Sequence, residues 1–328
     1  MKRRVLRLSL IALAATAAAL LALAPPALVN RAQTPHIEGD LDRWIAERES
    51  LVAETEALIP GAEKRVRWYN GETNHRTRFA IVYLHGFSAT RQEIAPVGEW
   101  VADELRANLF ETRLSGHGQE RHALEGVRAE DWLEDAAEAL AVGSRIGEQT
   151  ILVGTSTGAT LALAMAGHPA FDRVGFVILM SPNFAPRDSN AELLTWPGGP
   201  QLAYLVAGST RSWKAQNEYQ ARYWSTAYPM GAAVEMMRLV KYVRGMLPLN
   251  LERPLLVIWS PQDSVIDTAW IDRAVTQIES PAKQLIEVEA SGDRSNHVLA
   301  GDILAPENNR FVADAITGFV RANSVAAR

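Results

Sequence analysis

The serine at position 156 stands in Gly154-Thr155-Ser156-Thr157-Gly158, after the apolar run Ile151-Leu152-Val153 and before the compact stretch Ala159-Thr160-Leu161-Ala162-Leu163-Ala164-Met165-Ala166. The pattern is strand, G-x-S-x-G, helix. A serine on so sharp a turn is held in a strained backbone conformation. Gly154 and Gly158 flank it because a Cβ at either place collides with the neighbouring chain. The turn presents the Ser156 hydroxyl at the carboxyl end of the strand, where ligand sites of strand-helix sheets lie. It also sets the Thr157 amide at a helix N-terminus, directed at any negative charge that develops there. That chemistry is nucleophilic attack on a carbonyl.

An alcohol needs a base at neutral pH, and histidine is the usual one. Of the histidines (His36, His75, His85, His117, His122, His168 and His297), only His168 and His297 follow Ser156, as the order nucleophile, acid, base requires of this motif. His168 precedes Pro169 at the far end of the nucleophile helix and is expected to meet terminal carbonyls there. His297 closes the polar loop Ser291-Gly292-Asp293-Arg294-Ser295-Asn296-His297 and is the expected base. The acid should leave the carboxyl end of an intervening strand, which Ser260-Pro261-Gln262-Asp263 does. Asp263 is therefore expected, with Asp267 as the alternative, since it could instead start the next helix as its N-cap.

Acyl transfer also needs a second amide donor, from the loop after an early strand. Ile81-Val82-Tyr83-Leu84-His85-Gly86-Phe87 supplies it in the Phe87 N–H. His85 reads first as a structural hydrogen-bonder. His117, in Arg113-Leu114-Ser115-Gly116-His117-Gly118, reads as a loop-fixing residue. Both are also candidates to touch substrate.

These groups need elements to position them. Strand-like runs lie at 66–69, 79–84, 109–112, 151–153, 174–180, 254–259 and 284–288. Helical patterns lie at 37–58, 92–106, 130–145, 159–167, 266–279 and 307–321. Short apolar strands alternating with helices predict an α/β fold, a mostly parallel sheet covered on both faces. Residues 184–250 break the alternation and hold nine of the 24 aromatic residues and four of the seven methionines, so they read as a helical cap inserted between two strands. Its large side chains either fill a thin core of the cap's own or line an apolar substrate pocket. Trp196, Tyr204, Trp213 and Tyr223 are the candidates for the second role.

A hydrophobic share of 48% excludes a disordered chain. The absence of cysteine excludes a disulfide scaffold, a thiolate metal site and a cysteine nucleophile. Net charge is −5 although Lys2, Arg3, Arg4 and Arg7 all lie at the start, so the body is more acidic still and nucleic acid is not an expected partner. After that basic start, residues 8–24 carry only Ser9 and Thr16 as polar side chains, and Pro25-Pro26 follows. This reads as a secretion signal cut near Ala22-Leu23-Ala24, as an uncleaved anchor reaching Val29, or, third, as a buried helix. The first two put the body outside the cytoplasm, free in the periplasm or tethered to the inner membrane through residues 8–29. The expected organisation is thus leader 1–29, linker and helix 30–64, core 65–183 and 251–328, and cap 184–250.

Together, Leu84-His85-Gly86-Phe87, Ser115-Gly116-His117-Gly118, Gly154-Thr155-Ser156-Thr157-Gly158, Asp263-Ser264-Val265-Ile266 and Asn296-His297-Val298-Leu299 resemble the α/β-hydrolase superfamily. Within it they resemble the carboxylesterase and monoacylglycerol-lipase-like branch, over residues 65–323. The resemblance implies Ser156 as nucleophile, Asp263 as acid, His297 as base, the Phe87 and Thr157 amides as oxyanion hole, and no cofactor or metal. Relatives often carry a bulky residue after the nucleophile; Thr157 is smaller and would open the pocket beside the hole. The expected activity is cleavage of small or lipid-like carboxylic esters. A thioesterase, a peptidase or amidase, a C–C hydrolase, or an idle membrane-tethered binding module are the alternatives.

Overall fold

The apolar runs become strands whose alternate side chains serve two separate cores. The computed structural model describes residues 23–324. Its main sheet has the order β1-β3-β2-β4-β5-β9-β11. These are β1 (Arg65–Arg67), β2 (Thr77–Leu84), β3 (Asn108–Glu111), β4 (Gly147–Thr155), β5 (Val174–Met180), β9 (Leu255–Trp259) and β11 (Lys283–Glu287). Only β1 runs antiparallel to its neighbour; the other pairs are parallel.

On one face, Ala80, Val82 and Leu84 of β2, with Leu152, Val177, Leu179, Leu255 and Val257, pack under α3 (Ala129–Ile146), α4 (Thr157–Ala164) and α8 (Ala269–Thr276). On the other, Phe79, Ile81 and Tyr83 of β2, with Ile151, Val153, Phe176, Ile178 and Ile258, pack under α2 (Val97–Leu105) and α9 (Asn309–Ser324). The period-2 alternation of a strand makes this division unavoidable once both faces are covered. Each Val, Leu, Ile or Phe among them contributes about 1.5–3 kcal/mol by leaving water.

The first helix, α1 (Leu41–Ala53), starts where the Asp40 carboxylate accepts the Arg43 N–H at 2.9 Å. It is shorter than the 37–58 pattern. Its Glu49 meets Arg113 through two bonds, 2.9 Å from Nε and 2.8 Å from Nη2, and both residues are buried.

The cap comprises α5 (Gly199–Ala207), β6 (Thr210–Ser212), α6 (Glu218–Tyr223), β7 (Ala227–Pro229) and α7 (Met230–Gly245). It does have a thin core of its own, from Leu194, Met230, Val234, Met237 and Val240. Its bounds are tighter than 184–250. Phe184 is buried in the main core, the Asp267 N–H donates to Ala185 O and the Arg187 N–H to Val265 O. At the far end, β8 (Leu249–Asn250) already pairs with β10 (Ile278–Glu279) of the body.

The leader expectation falls on residues 1–22, outside the described residues. Residues 23–29, which an anchor reaching Val29 would need as helix, are not helical. They begin an extended strap along the body. Leu28 is buried, Arg238 Nε donates to Pro26 O at 2.9 Å, and Asn30 Nδ2 donates to Ala164 O at 3.0 Å. His168 belongs to this strap and not to the carbonyls of its own helix: its Nε2 lies 2.8 Å from Ala32 O, while Nδ1 accepts the Ala170 N–H.

Candidate active site

β4 delivers Ser156 into the turn with φ 53° and ψ −115°, a conformation that costs an L-residue about 1–3 kcal/mol. The glycines on either side are obligatory for the anticipated reason. A Cβ on Gly154 would stand 2.5 Å from Gly158 O, and one on Gly158 would stand 2.1 Å from Leu84 O. The turn is pinned by Ser156 N–H donating to Met180 O at 2.8 Å and by Asn183 N–H donating to Ser156 O at 3.2 Å.

The two residues expected as base and acid meet. His297 Nδ1 lies 2.7 Å from Asp263 Oδ2, and both residues are buried. Oδ1 of Asp263 is held by the N–H groups of Val265 at 2.8 Å and Ile266 at 3.1 Å, which fix the carboxylate. Asp267 goes elsewhere, accepting the Ala269 N–H at 3.1 Å as α8 begins. Burial alone would push the His297 imidazolium down. The Asp263 hydrogen bond and charge, then the charges of Glu93 and Asp293, outweigh it and hold its pKa above the ordinary 6.5.

Ser156 and His297 sit on neighbouring loops. Met180 accepts from Ser156, and the next residue, Ser181, donates its Oγ to His297 O at 2.7 Å. The His297 loop is organised by Asp293, whose Oδ2 accepts the N–H groups of His297 at 3.0 Å and Val298 at 3.1 Å. The Asp293 pKa lies below the usual carboxylate range. Burial opposes this shift, but the bonds from Ser295, Gln216 and the Val298 amide prevail.

At the end of β2, the Gly86 N–H donates to Glu93 Oε2 at 2.8 Å, and the Ser88 N–H donates to His117 Nε2 at 3.1 Å. Between them, the Phe87 N–H has no hydrogen-bond partner among the described residues, and neither has the Thr157 N–H. A Cβ on Gly86 would lie 3.3 Å from Ser156 Cβ, so this turn runs directly beside the nucleophile position. Two unpaired amides beside a serine are chemically able to stabilise an oxyanion. The Thr157 Oγ1 is also buried without a partner.

The structure corrects two of the substrate-contact expectations. His85 is buried, its Nδ1 3.0 Å from Gly86 O and its Nε2 accepting the Leu114 N–H at 3.1 Å. His117 is buried with Nδ1 3.0 Å from Ser115 O and Nε2 accepting from Ser88. Both ring nitrogens of each are committed, so neither has a polar atom left for substrate. Burial dominates their titration, taking His85 down to about 4 and His117 well below its ordinary value. Both are therefore neutral loop struts at neutral pH.

The cap candidates divide. Trp196 and Tyr204 are exposed on the outer surface of the cap. Trp213 and Tyr223 pack with Trp224, Ala89, Val298 and Leu304, close to the His297 loop. The cap aromatic that reaches the Phe87 turn is none of these four: Tyr228 packs edge-on to Phe87 with ring centroids 4.9 Å apart. Met236 of α7 also comes in, its sulfur 3.2 Å from Asn183 Nδ2. Another residue that the sequence pattern does not single out is Glu93, a buried carboxylate in contact with Gly86 N–H and, at 2.8 Å, with the Tyr83 hydroxyl. Its only sequence signal was an acid a few residues beyond the His-Gly turn. Among the described residues, no group of three or more His, Asp or Glu could hold a metal ion.

No curated protein matches the chain significantly in sequence. Several solved structures share its fold. A structure of the metagenome-derived lipolytic enzymes LipS and LipT is 19% identical and covers 81% of this chain and 99% of its own, with a TM-score of 0.66. A monoacylglycerol lipase from Paleococcus ferrophilus is 12% identical, covering 78% of this chain and 98% of its own, with a TM-score of 0.57. A soluble variant of monoglyceride lipase from Saccharomyces cerevisiae, in complex with a substrate analog, is 13% identical, covering 90% of this chain and 99% of its own, with a TM-score of 0.56. At such identities the likeness is one of fold. Residues 81–315 match the model of the alpha/beta hydrolase family, a span that includes the Phe87 turn, the Ser156 turn and the Asp263–His297 pair, and the chain belongs to that family.

Proposed function

We propose that the protein is a serine hydrolase of carboxylic esters, of the monoacylglycerol-lipase-like kind, working without a cofactor. The observation that carries the reading is the strained Ser156 turn flanked by the unpaired Phe87 and Thr157 amides, with the buried Asp263–His297 pair one loop away. In the proposed mechanism, His297 Nε2 takes the proton of Ser156 Oγ as the oxygen attacks the ester carbonyl. The carbonyl oxygen becomes negative and accepts the N–H groups of Phe87 and Thr157, each worth about 3–4 kcal/mol in the transition state. Asp263 stabilises the imidazolium that forms. His297 then gives its proton to the departing alcohol, leaving an acyl-Ser156 ester, and water activated by the same imidazole releases the acid.

Phe87, Tyr228 and Met236 favour an apolar acyl or aromatic group at the site. The lipolytic enzymes among the structural neighbours support the same substrate class. For location, we propose that residues 8–22, apolar in sequence, tether the body on the outer side of a membrane. Ser156→Ala should abolish turnover of a chromogenic short-chain ester and labelling by a fluorophosphonate, with an unchanged thermal transition. Retained turnover in that variant would refute the reading.

A further inference from the structure

Asn183 is fastened to the nucleophile turn by its backbone alone. Its N–H donates to Ser156 O at 3.2 Å, and its carbonyl accepts the Thr160 hydroxyl at 2.7 Å. That hydroxyl also lies 3.2 Å from Ser156 O. The side chain takes no part in the fastening. Its Nδ2 donates to the Met236 sulfur, a weak acceptor, at 3.2 Å. Its Oδ1 is buried and has no hydrogen-bond partner among the described residues, in a residue only 6% exposed.

A buried carbonyl oxygen without a donor costs stability. A leucine at this position would fill a similar volume without that cost and leave both backbone bonds in place. Thr157 repeats the pattern one residue beyond the nucleophile, for its Oγ1 is also buried without a partner. Thr157 and Thr160 stand three residues apart on α4, so they share the side of the helix against which Asn183 is held. Among the described residues, Asn183 Oδ1 is the one carboxamide oxygen left buried and unpaired. Met236, which the amide touches, is half-buried, so this polar pair lies close beneath an accessible surface of the site. The fold makes no use of these two polar atoms. A ligand that brings its own hydrogen-bonding group would.

We propose that Asn183 and Thr157 form a polar subsite for the acyl group, and that the ester cleaved carries a hydroxyl at the second or third carbon of its acyl chain. The inference deepens the ester-hydrolase reading above and rests on it. The acyl side follows from Met236. The Asn183 amide touches the sulfur of a side chain assigned there to the acyl group, whereas the departing alcohol must lie at His297 to receive its proton. A hydroxyl fits because it can donate to Asn183 Oδ1 and accept from Thr157 Oγ1. A keto oxygen would suit Thr157 but meet Asn183 Oδ1 as a second acceptor. Beyond the hydroxyl, Phe87 and Tyr228 keep the surroundings apolar. The chemistry is unchanged, and the product released from Ser156 is a hydroxy acid.

The test compares the p-nitrophenyl esters of 2-hydroxybutanoic and 3-hydroxybutanoic acid with that of butanoic acid, which share a leaving group and differ by one hydroxyl. At least one hydroxylated ester should exceed the butanoate in kcat/KM by about tenfold or more, because a site built to pair a hydroxyl rejects the analogue that lacks it. Asn183→Leu should bring that ratio within about twofold of unity, and Thr157→Val should lower it about threefold or more. In both variants the thermal transition should hold or rise, since a buried unpaired polar atom has gone. Ratios near unity in the parent protein, or a preference that survives Asn183→Leu, overturn the subsite and leave ester hydrolysis standing. An Asn183→Leu protein that does not fold, or a transition that falls in both variants, gives the side chains to the fold and overturns the subsite too. No turnover of any of the three esters also overturns it; if a fluorophosphonate then fails to label Ser156, the hydrolase reading falls with it.

Discussion

Asp263 Oδ2 and His297 Nδ1 lie 2.7 Å apart with both side chains out of water, and this one contact sets the protonation of the proposed base. It raises the imidazole pKa above 6.5 against the pull of burial. A base must be neutral to act, so activity should fall as pH drops through that raised value, and the acid limb of kcat/KM should lie above pH 6.5. Asp263→Asn removes the charge and misorients the ring. It should lower kcat by roughly 10^4-fold and move the acid limb downward. A pH–rate profile of the two proteins checks both, and an unmoved limb would count against the pairing. The same shift contributes stability below pH 6.5, which is lost as pH rises through the folded-state value.

Ser156 holds φ 53°, where only glycine is at ease. Ser156→Gly should therefore remove activity and raise stability by about 1 kcal/mol, read as a higher urea midpoint. A lower midpoint would show that the turn is not a store of strain.

Glu93 faces the Gly86 amide, the Tyr83 hydroxyl and, at longer range, the His297 charge. Glu93→Gln keeps an acceptor oxygen but removes the charge, so the acid limb should shift downward by less than in Asp263→Asn. Glu93→Ala leaves the buried Gly86 N–H unpaired, while the Tyr83 hydroxyl keeps Thr155 Oγ1 at 3.1 Å, and should cost about 1–3 kcal/mol of stability. Urea unfolding and the pH profile separate the electrostatic part from the structural one. An acid limb in Glu93→Gln identical to that of the parent would deny Glu93 its electrostatic part.

The Ser156 turn was legible in the sequence because its parts are local. A strand, a glycine pair and a helix identify Ser156 without any knowledge of the rest. Val174–Met180 emerges with the expected bounds because a strand buried on both faces is an uninterrupted apolar run. The cap was not legible in the same way. Trp196 and Tyr228 look alike in a list of aromatics, and only the assembled cap distinguishes the one that faces solvent from the one that faces Phe87. His85 and His117 left two roles open for a related reason. A histidine beside a catalytic turn can serve substrate or backbone, and which amide lies opposite its ring is a property of the assembled loops. The strap was hidden by the leader, since Leu28 continues the same apolar run although it packs into the body.

Glu49 and Arg113 couple the first helix to that loop assembly. Their two hydrogen bonds are buried, Arg113 Nη1 also reaches His117 O at 3.4 Å, and His117 holds the Ser88 amide beside Phe87. Removing one partner leaves an uncompensated buried charge, so Glu49→Ala should cost about 3–5 kcal/mol in urea unfolding. Glu49→Met with Arg113→Met removes both charges and should recover most of that loss. If the pair also positions the oxyanion loop, the double variant keeps its stability but loses kcat with KM little changed, because a displaced Phe87 amide weakens only the transition state. A double variant with both stability and kcat restored would confine the pair to holding α1 in place.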